Sequence, residues 1–372
     1  MRVLLVLPGL SIGGTEKMVF HLAKGLQAGG DAVRVLALKG EGPMLARFRA
    51  SSINVTCLNT PGNFLYGLMD LPGLIFRLKK EISHWEPDIV HSFLTRANAS
   101  VALAGLLSGT VGGVHISSLR VMEHEKFFHL WVERLGAKNR IYTVNSQALK
   151  IFAQKNIRLN SRQVEVIYNG IEPAPGIPAE ETGRIRKELD IGSSPVFLAA
   201  GRLHKQKGFD WLIRTFYEVL KSRPEAVLLI AGKGNEEEAL RSQIFRLGVI
   251  TRVKLIGQVP DIFPYLKMAT GFILSSRWEG TPNVVLESMS AGCPVIATDV
   301  GGVREILNAP KEGLIVPSGG TATLKEAILE TLTDNAVSQA RAAEAKKRAS
   351  SFSMASMIEA HRLLYKRVLG LL

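Results

Sequence analysis

Short apolar runs recur along the chain, each followed by a longer stretch in which apolar residues return every third or fourth position. In the first half the runs are RVLLVL, AVRVLAL, NVTCL, PDIVHS, GGVHISS, RIYTVN and VEVIY. They lack polar alternation, as strands covered on both faces of a parallel sheet do. The pattern predicts a βαβ series whose first helix begins near Glu16. The stretch YNGIEPAPGIPAEET interrupts it, and its three prolines and two glycines predict a connector with no helix or strand of its own. The alternation restarts with PVFLAAG, AVLLIAG, RVKLIG, TGFILSS, PVIAT and GLIVP. The expected fold class is therefore α/β, two doubly wound domains with a boundary near residues 170 to 190. Ligands are expected in a cleft between them, at the carboxyl ends of both sheets.

Helical patterns close the chain in TLKEAILETL and SMASMIEAHRLLYKRVL. In the second, Met354, Met357, Ile358, His361, Leu364 and Val368 form a stripe at helical spacing. The stripe reads as core contact, with a bridge back to the first domain left open.

Length agrees with this division, since 372 residues exceed one ordinary core and suit two. Cys57 and Cys293 fall in different halves without metal spacing, so they read as reduced thiols of a cytoplasmic protein. The opening MRVLLVLPG runs straight into a turn and resembles a buried strand more than a signal peptide. No run reaches the roughly eighteen apolar residues that a spanning helix needs.

The formal charge of +13 attracts anions: nucleic acid, lipid head groups or phosphorylated substrates. The cations are dispersed, without aromatic interleaving and without a helix-turn-helix or zinc pattern, so nucleic acid is the least supported partner.

Candidate chemistry concentrates in RWEGTPNVVLESMSAGCPV. Thr281 suits an N-cap, Pro282 a first helical position, and Gly292 with Pro294 a stop, which predicts a helix from Pro282 to Ala291. Its first N–H groups, beginning at Asn283, favour an anion such as phosphate. Glu279 and Glu287, eight positions apart, cannot both serve that anion. Carboxylates accept hydrogen bonds from hydroxyls, as a ribose or a sugar ring offers. A cap acid plus a solvated helix face is the structural alternative.

In AAGRLHKQKGFDWLI, a strand ending in glycine precedes Arg202, Lys205, Lys207 and Gly208. Such cations can grip a diphosphate and neutralise charge on a departing one; a solvated basic loop is the alternative. The first turn, LPGLSIGGTEKMVFHLAKGL, places Gly13 and Gly14 before a helix, where a ligand can approach the backbone closely. It is not the GxGxxG fingerprint, and VRVLALK ends without a suitable acid, which disfavours a nicotinamide oxidoreductase.

Together GGTE, GRLHKQKG, AGKG, EGTPNVVLE and AGCPVIATDVGGVREI resemble the retaining glycosyltransferases of family four, which have the GT-B fold and an EX7E element, here Glu279 to Glu287. The resemblance covers nearly the whole chain. It implies two Rossmann-like domains: residues 1–175 binding the acceptor, 176–350 binding a nucleotide sugar, and a terminal helix in 351–372 that can cross back. By the same resemblance Arg202 and Lys207 hold the diphosphate and Glu279 contacts the donor sugar. Gly280, Thr281 and Asn283 lie beside the phosphates, Glu287 takes the ribose hydroxyls, and Gly13 and Gly14 belong to the donor site.

The implied activity is hexosyl transfer from a UDP- or GDP-sugar to a glycan or lipid-linked acceptor, with front-face attack and no cofactor. The implied setting is bacterial-type surface polysaccharide or glycolipid synthesis. No DxD acid pair suggests a metal site, so metal-independent activity is expected. Two alternatives stay open: a nucleotide-sugar epimerase or hydrolase on the same architecture, and a non-catalytic sugar-nucleotide-binding subunit.

Many members of the family carry a first-domain histidine after a strand, and the corresponding region here reads GGVHISSLRVMEHEKF. Arg120 matches by strand-end position, His115 falls inside the strand, and His124 comes one turn later. His91 stands at another strand end, to line the cleft or to pack beside Ser92. Finally, PGNFLYGLMDLPGLIFRLKKEISHW mixes Phe64, Leu65, Leu68, Leu71, Leu74, Ile75 and Leu78 with Arg77, Lys79 and Lys80. It reads either as an amphipathic helix packed on the first sheet or as a contact with an anionic membrane, peripheral on the inner face of the cytoplasmic membrane.

Overall fold

The computed structural model describes residues 1–60, 71–108, 112–122, 133–134, 137 and 140–372. The chain divides into two compact units, Met1–Gly170 with Met354–Leu372, and Ile171–Ser353.

Unit 1 is built on a sheet of seven parallel strands: β1 Arg2–Leu7, β2 Ala32–Ala37, β3 Asn54–Cys57, β4 Ile89–Phe93, β5 Val114–Leu119, β6 Ile141–Val144 and β7 Val164–Val166. Their order is β3-β2-β1-β4-β5-β6-β7, so the winding reverses between β1 and β4. Strand β1 shows why its sequence is an unbroken apolar run. Val3, Leu5 and Leu7 face a core shared with Met18, Leu22 and Leu26 of the helix Gly14–Ala28. Leu4 and Val6 face the opposite core, with Leu74, Ile75, Leu78 and Val101 of the helices Leu71–Trp85 and Leu94–Ser108. Alternate side chains thus meet different helical layers, and no position is left for a polar residue.

The last helix, Met354–Val368, belongs to unit 1, where Met357, His361, Leu364 and Tyr365 are buried. Tyr365, outside the apolar stripe read from the sequence, is wholly buried.

Unit 2 repeats the plan with β8 Val196–Ala200, β9 Val227–Ala231, β10 Val253–Gly257, β11 Gly271–Leu274, β12 Val295–Thr298 and β13 Leu314–Val316. All pairs are parallel, in the order β10-β9-β8-β11-β12-β13, with the reversal between β8 and β11. The stretch expected to be a bare connector is not one. Ile171 pairs with Ser353, and a helix starts at Ala179, opened by extended Pro178 and favoured by Glu180 and Glu181 in its first turn. Cys293 is buried in this unit, and burial pushes its thiol up to about 12, leaving it unreactive.

Among the described residues, no helix is long and apolar enough to cross a membrane. Phe64, Leu65 and Leu68 lie outside the described residues. In the helix Leu71–Trp85, Leu74, Ile75 and Leu78 pack in the core, whereas Phe76 is 70% exposed.

Candidate active site

The reversal of strand order in unit 2 creates the place where a site is expected. After β8 the chain enters the helix Phe209–Leu220, whose Leu212, Ile213 and Phe216 pack on one face of the sheet. After neighbouring β11 it enters the helix Asn283–Ala291, whose Val285, Leu286 and Met289 pack on the other face. The two connections leave adjacent strands toward opposite faces of the sheet, and doubly wound sheets bind ligands at the carboxyl ends of such a switch point.

The first connection turns through a short 3-10 helix, Lys205–Lys207, capped by the His204 ring, which accepts from Gln206 N at 3.2 Å. Gly208 ends it with φ 64°, and a Cβ there would strike the Ser275 carbonyl and the Trp211 indole. Only glycine allows both that backbone angle and that approach. The turn is stitched to the second connection from several sides. Ser275 Oγ donates to the Lys207 carbonyl at 2.8 Å, Arg277 N to the Gln206 carbonyl at 2.7 Å, and Trp211 Nε1 to the Ser275 carbonyl at 2.9 Å.

This stitching brings Lys207 and Glu279 together across 72 positions of sequence, with Nζ 2.5 Å from Oε1. Ser276 Oγ donates to the same carboxylate oxygen at 2.7 Å, and Gln206 Nε2 reaches the other at 3.4 Å. Glu279 is 5% exposed, so these partners supply hydrogen bonds that water would otherwise give its carboxylate. The loop is held from behind by Gly302 N, which donates to the Gly280 carbonyl at 2.7 Å. Gly301, at φ 54°, lies so close to the Glu279 and Gly280 carbonyls that a Cβ would clash with both.

The helix after this loop differs from expectation by one residue. Pro282 is the N-cap, extended at ψ 107°, and makes no side-chain cap bond, so Thr281 lies one position too early to cap. Thr281 is buried, Asn283 opens the helix, and Glu287 follows one turn later, half-buried. Gly292 closes it at φ 70°. Arg202, two residues past β8, is exposed. Lys207 and Glu279 thus form the centre, with Gly280 and Thr281 in the same loop. Gln206 and Ser276, which sequence reasoning passed over, complete it.

In unit 1, Gly13 caps the first helix in extended conformation and Gly14 opens it, two residues before the expected Glu16. Glu16 is buried and accepts from Ser11 Oγ at 2.6 Å. Arg120 directly follows β5 and is 7% exposed. Its Nη1 donates to Asn169 Oδ1 at 2.8 Å, its Nη2 lies 3.3 Å from Met18 Sδ, and its guanidinium sits 5.6 Å from the Phe93 ring centre. Burial lowers its pKa to about 10, so it stays charged at neutral pH.

His115 lies inside β5, half-buried, with Nε2 3.2 Å from Ser92 Oγ. His124 lies outside the described residues. His91 is fully buried inside β4, with Nδ1 2.6 Å from Tyr365 Oη and Nε2 3.1 Å from Ser118 Oγ. Burial, then the neighbouring His361, Arg120 and His115, hold its pKa well below the ordinary value, so its ring is neutral.

Comparison with known proteins identifies these two doubly wound parallel sheets, with a glycine-hinged, cationic turn beside a carboxylate at one switch point, as a GT-B fold. Residues 12–174 match the family model described as Glycosyltransferase Family 4, and residues 194–334 the one described as Glycosyl transferases group 1. The chain belongs to these family-four, group 1 glycosyltransferases.

An uncharacterized glycosyltransferase of Methanocaldococcus jannaschii is 43% identical over 260 residues, 62% of this chain and 61% of the relative. A second from the same organism is 34% identical over 160 residues, 41% of each chain. The alignments therefore span less than two thirds of either. A Campylobacter jejuni N-acetylgalactosamine-N,N'-diacetylbacillosaminyl-diphospho-undecaprenol 4-alpha-N-acetylgalactosaminyltransferase is 26% identical over 305 residues, 80% of this chain and 81% of that one. Among solved structures, Anabaena HepE in complex with UDP-glucose has the same fold, with a TM-score of 0.87, 21% identity and full coverage of both chains.

Proposed function

We propose that the protein transfers a hexose from a nucleoside-diphosphate sugar to a hydroxyl of a glycan or lipid-linked acceptor, with retention of anomeric configuration and without a metal. The observation that carries this reading is the Lys207–Glu279 pair at the switch point of the second sheet, with Ser276 on the same carboxylate oxygen. A cation within reach of a leaving diphosphate lowers the barrier by stabilising charge that appears as the anomeric bond breaks. Lys207 and exposed Arg202 take that role, and Glu279 accepts from a sugar hydroxyl. Backbone groups of Gly280, Thr281 and Asn283 lie by the phosphates, Glu287 binds the ribose, and the adjacent Gly13 and Gly14 allow close backbone approach by a ligand. Arg120 and His115 are the candidates for the acceptor side.

In front-face attack the acceptor oxygen forms its bond to the anomeric carbon as the bond to the phosphate oxygen breaks. The acceptor proton passes to that leaving oxygen, so no protein nucleophile is required. The sequence has no DxD acid pair, and activity is expected to survive EDTA. UDP is the first donor base to test, since the similar Anabaena structures hold UDP or UDP-glucose, with GDP second. A lipid-linked acceptor is supported by the diphospho-undecaprenol in the Campylobacter enzyme's name and by the lipopolysaccharide core glycosyltransferase LpsE of Rhizobium meliloti among the relatives. An anionic membrane surface fits the net charge of +13 and exposed Phe76.

The test is a thermal-shift panel of UDP, GDP, ADP and their common sugar conjugates on wild type, Lys207→Ala and Glu287→Ala. A selective rise in wild type that both substitutions abolish is the expected result. No rise with any nucleotide would refute the reading.

A further inference from the structure

Lys207 has two anions to serve: Glu279, which it holds now, and a donor diphosphate. An ammonium has three N–H donors, but a diphosphate competes strongly for it with the single carboxylate oxygen that now lies 2.5 Å away, Glu279 Oε1. A diphosphate entering the site carries the larger charge and draws the lysine away. Glu279 would then be a nearly buried carboxylate that has lost its cation and faces a new anion, unless other donors hold it.

Two such donors are in place, and both are neutral. Ser276 Oγ donates to Oε1 at 2.7 Å, and Gln206 Nε2 reaches Oε2 at 3.4 Å. Each is itself fixed. Ser276 is completely buried, and its carbonyl accepts from Thr298 Oγ1 at 2.8 Å and Ser318 Oγ at 3.3 Å. Gln206 Nε2 donates to the Trp278 carbonyl at 2.9 Å, while the Gln206 carbonyl accepts from Arg277 N at 2.7 Å. Neutral donors stabilise a carboxylate without competing for phosphate, and they leave lone pairs free for a sugar hydroxyl.

We propose that Ser276 and Gln206 are positioning residues that keep Glu279 in place for the donor sugar when Lys207 transfers from Glu279 to the diphosphate. Before binding, the lysine and glutamate neutralise each other, and the nucleotide exchanges one partner of that pair. This inference rests on the donor-site reading given above.

The test compares wild type, Ser276→Ala, Ser276→Thr and Gln206→Ala in two measurements. One is calorimetric titration with UDP, which lacks the sugar, or with GDP if the guanine compounds give the larger thermal shift. The other is the rate of nucleotide release from UDP-glucose or GDP-mannose, correspondingly. The expected result is an affinity for the sugar-free nucleotide that falls only a few-fold, and by clearly less than turnover, in every variant. Turnover should fall about tenfold or more in Ser276→Ala, several-fold in Gln206→Ala, and recover in Ser276→Thr. Wild-type turnover in both Ser276→Ala and Gln206→Ala would overturn the inference alone, and so would a loss of nucleotide affinity parallel to the loss of turnover. If wild type binds neither nucleotide, the donor-site reading falls and the inference with it. Gln206 is half-buried at a loop, so its variant keeps the test open should Ser276→Ala fail to fold.

Discussion

The two sheets share one winding order, yet they treat the polar groups near their switch points in opposite ways. In unit 2, Lys207, Glu279, Gln206 and Ser276 stand in the connections beyond β8 and β11, tied to each other by bonds between loops. In unit 1, His91, Ser118 and Thr143 lie inside the strands themselves, and the group they complete is Tyr365 from the returning C-terminal helix. Polar groups placed past strand ends can exchange a protein partner for a ligand. Groups placed within the sheet are already satisfied by one another, and ligand exchange would require opening the core. The same winding order, over seven strands in one unit and six in the other, thus leaves polar groups past the strand ends of unit 2 and fastens the last helix in unit 1.

Lys207→Ala should break the unit 2 side of this contrast most severely. Donor turnover is expected to fall by about 10²–10³, the scale of losing one charge-stabilising group, when nucleotide release is followed. A smaller loss than about tenfold would place the chemistry elsewhere.

Tyr365→Phe is next in size and concerns unit 1 alone. It leaves His91 Nδ1 buried without its partner at 2.6 Å, so urea denaturation should show a loss of about 1–3 kcal/mol. Nucleotide affinity should be unchanged. An unaltered denaturation midpoint would mean that the pair fastens nothing.

Acidification spreads its effect over several pH units. His91 and His361 are held neutral by burial, His361 down to about 3. The unfolded chain takes up protons on these rings below its ordinary value near 6.5, and the folded chain does not. Stability is therefore full above that value and declines as pH falls below 6.5, down to about 3 for His361, with a steepest slope of about 1.4 kcal/mol per pH unit for each ring. A melting series from pH 7 to 5 should show the decline, and His361→Gln should flatten it. A profile that stays level to about pH 5 would contradict the burial of these rings.

Strands such as β1 and β8 were legible because both of their faces meet apolar cores, and RVLLVL and VFLAA announce this directly. The pairing of Lys207 with Glu279 was legible only as two separate motifs. What joins them is the adjacency of β8 and β11, a property of the assembled sheet and not of either stretch. Gln206 and Ser276 carried no signal of their own for the same reason, although each stands beside a residue that did. The start of the site helix was misplaced by one residue because the φ of Pro282, −76°, suits both a first helical position and an extended cap. His91 was open to lining the cleft or to packing beside Ser92, and its partner Tyr365 lies 274 positions away, beyond the reach of any local pattern.

The contrast between the two units is tested most directly by titrating the intact chain with UDP and with GDP in a calorimeter, as wild type, Lys207→Ala and Tyr365→Phe. Binding of one of the two nucleotides by wild type and Tyr365→Phe, weakened at least about tenfold in Lys207→Ala, is the outcome expected of a donor site in unit 2. Equal binding by wild type and Lys207→Ala, or binding lost in Tyr365→Phe alone, would contradict it.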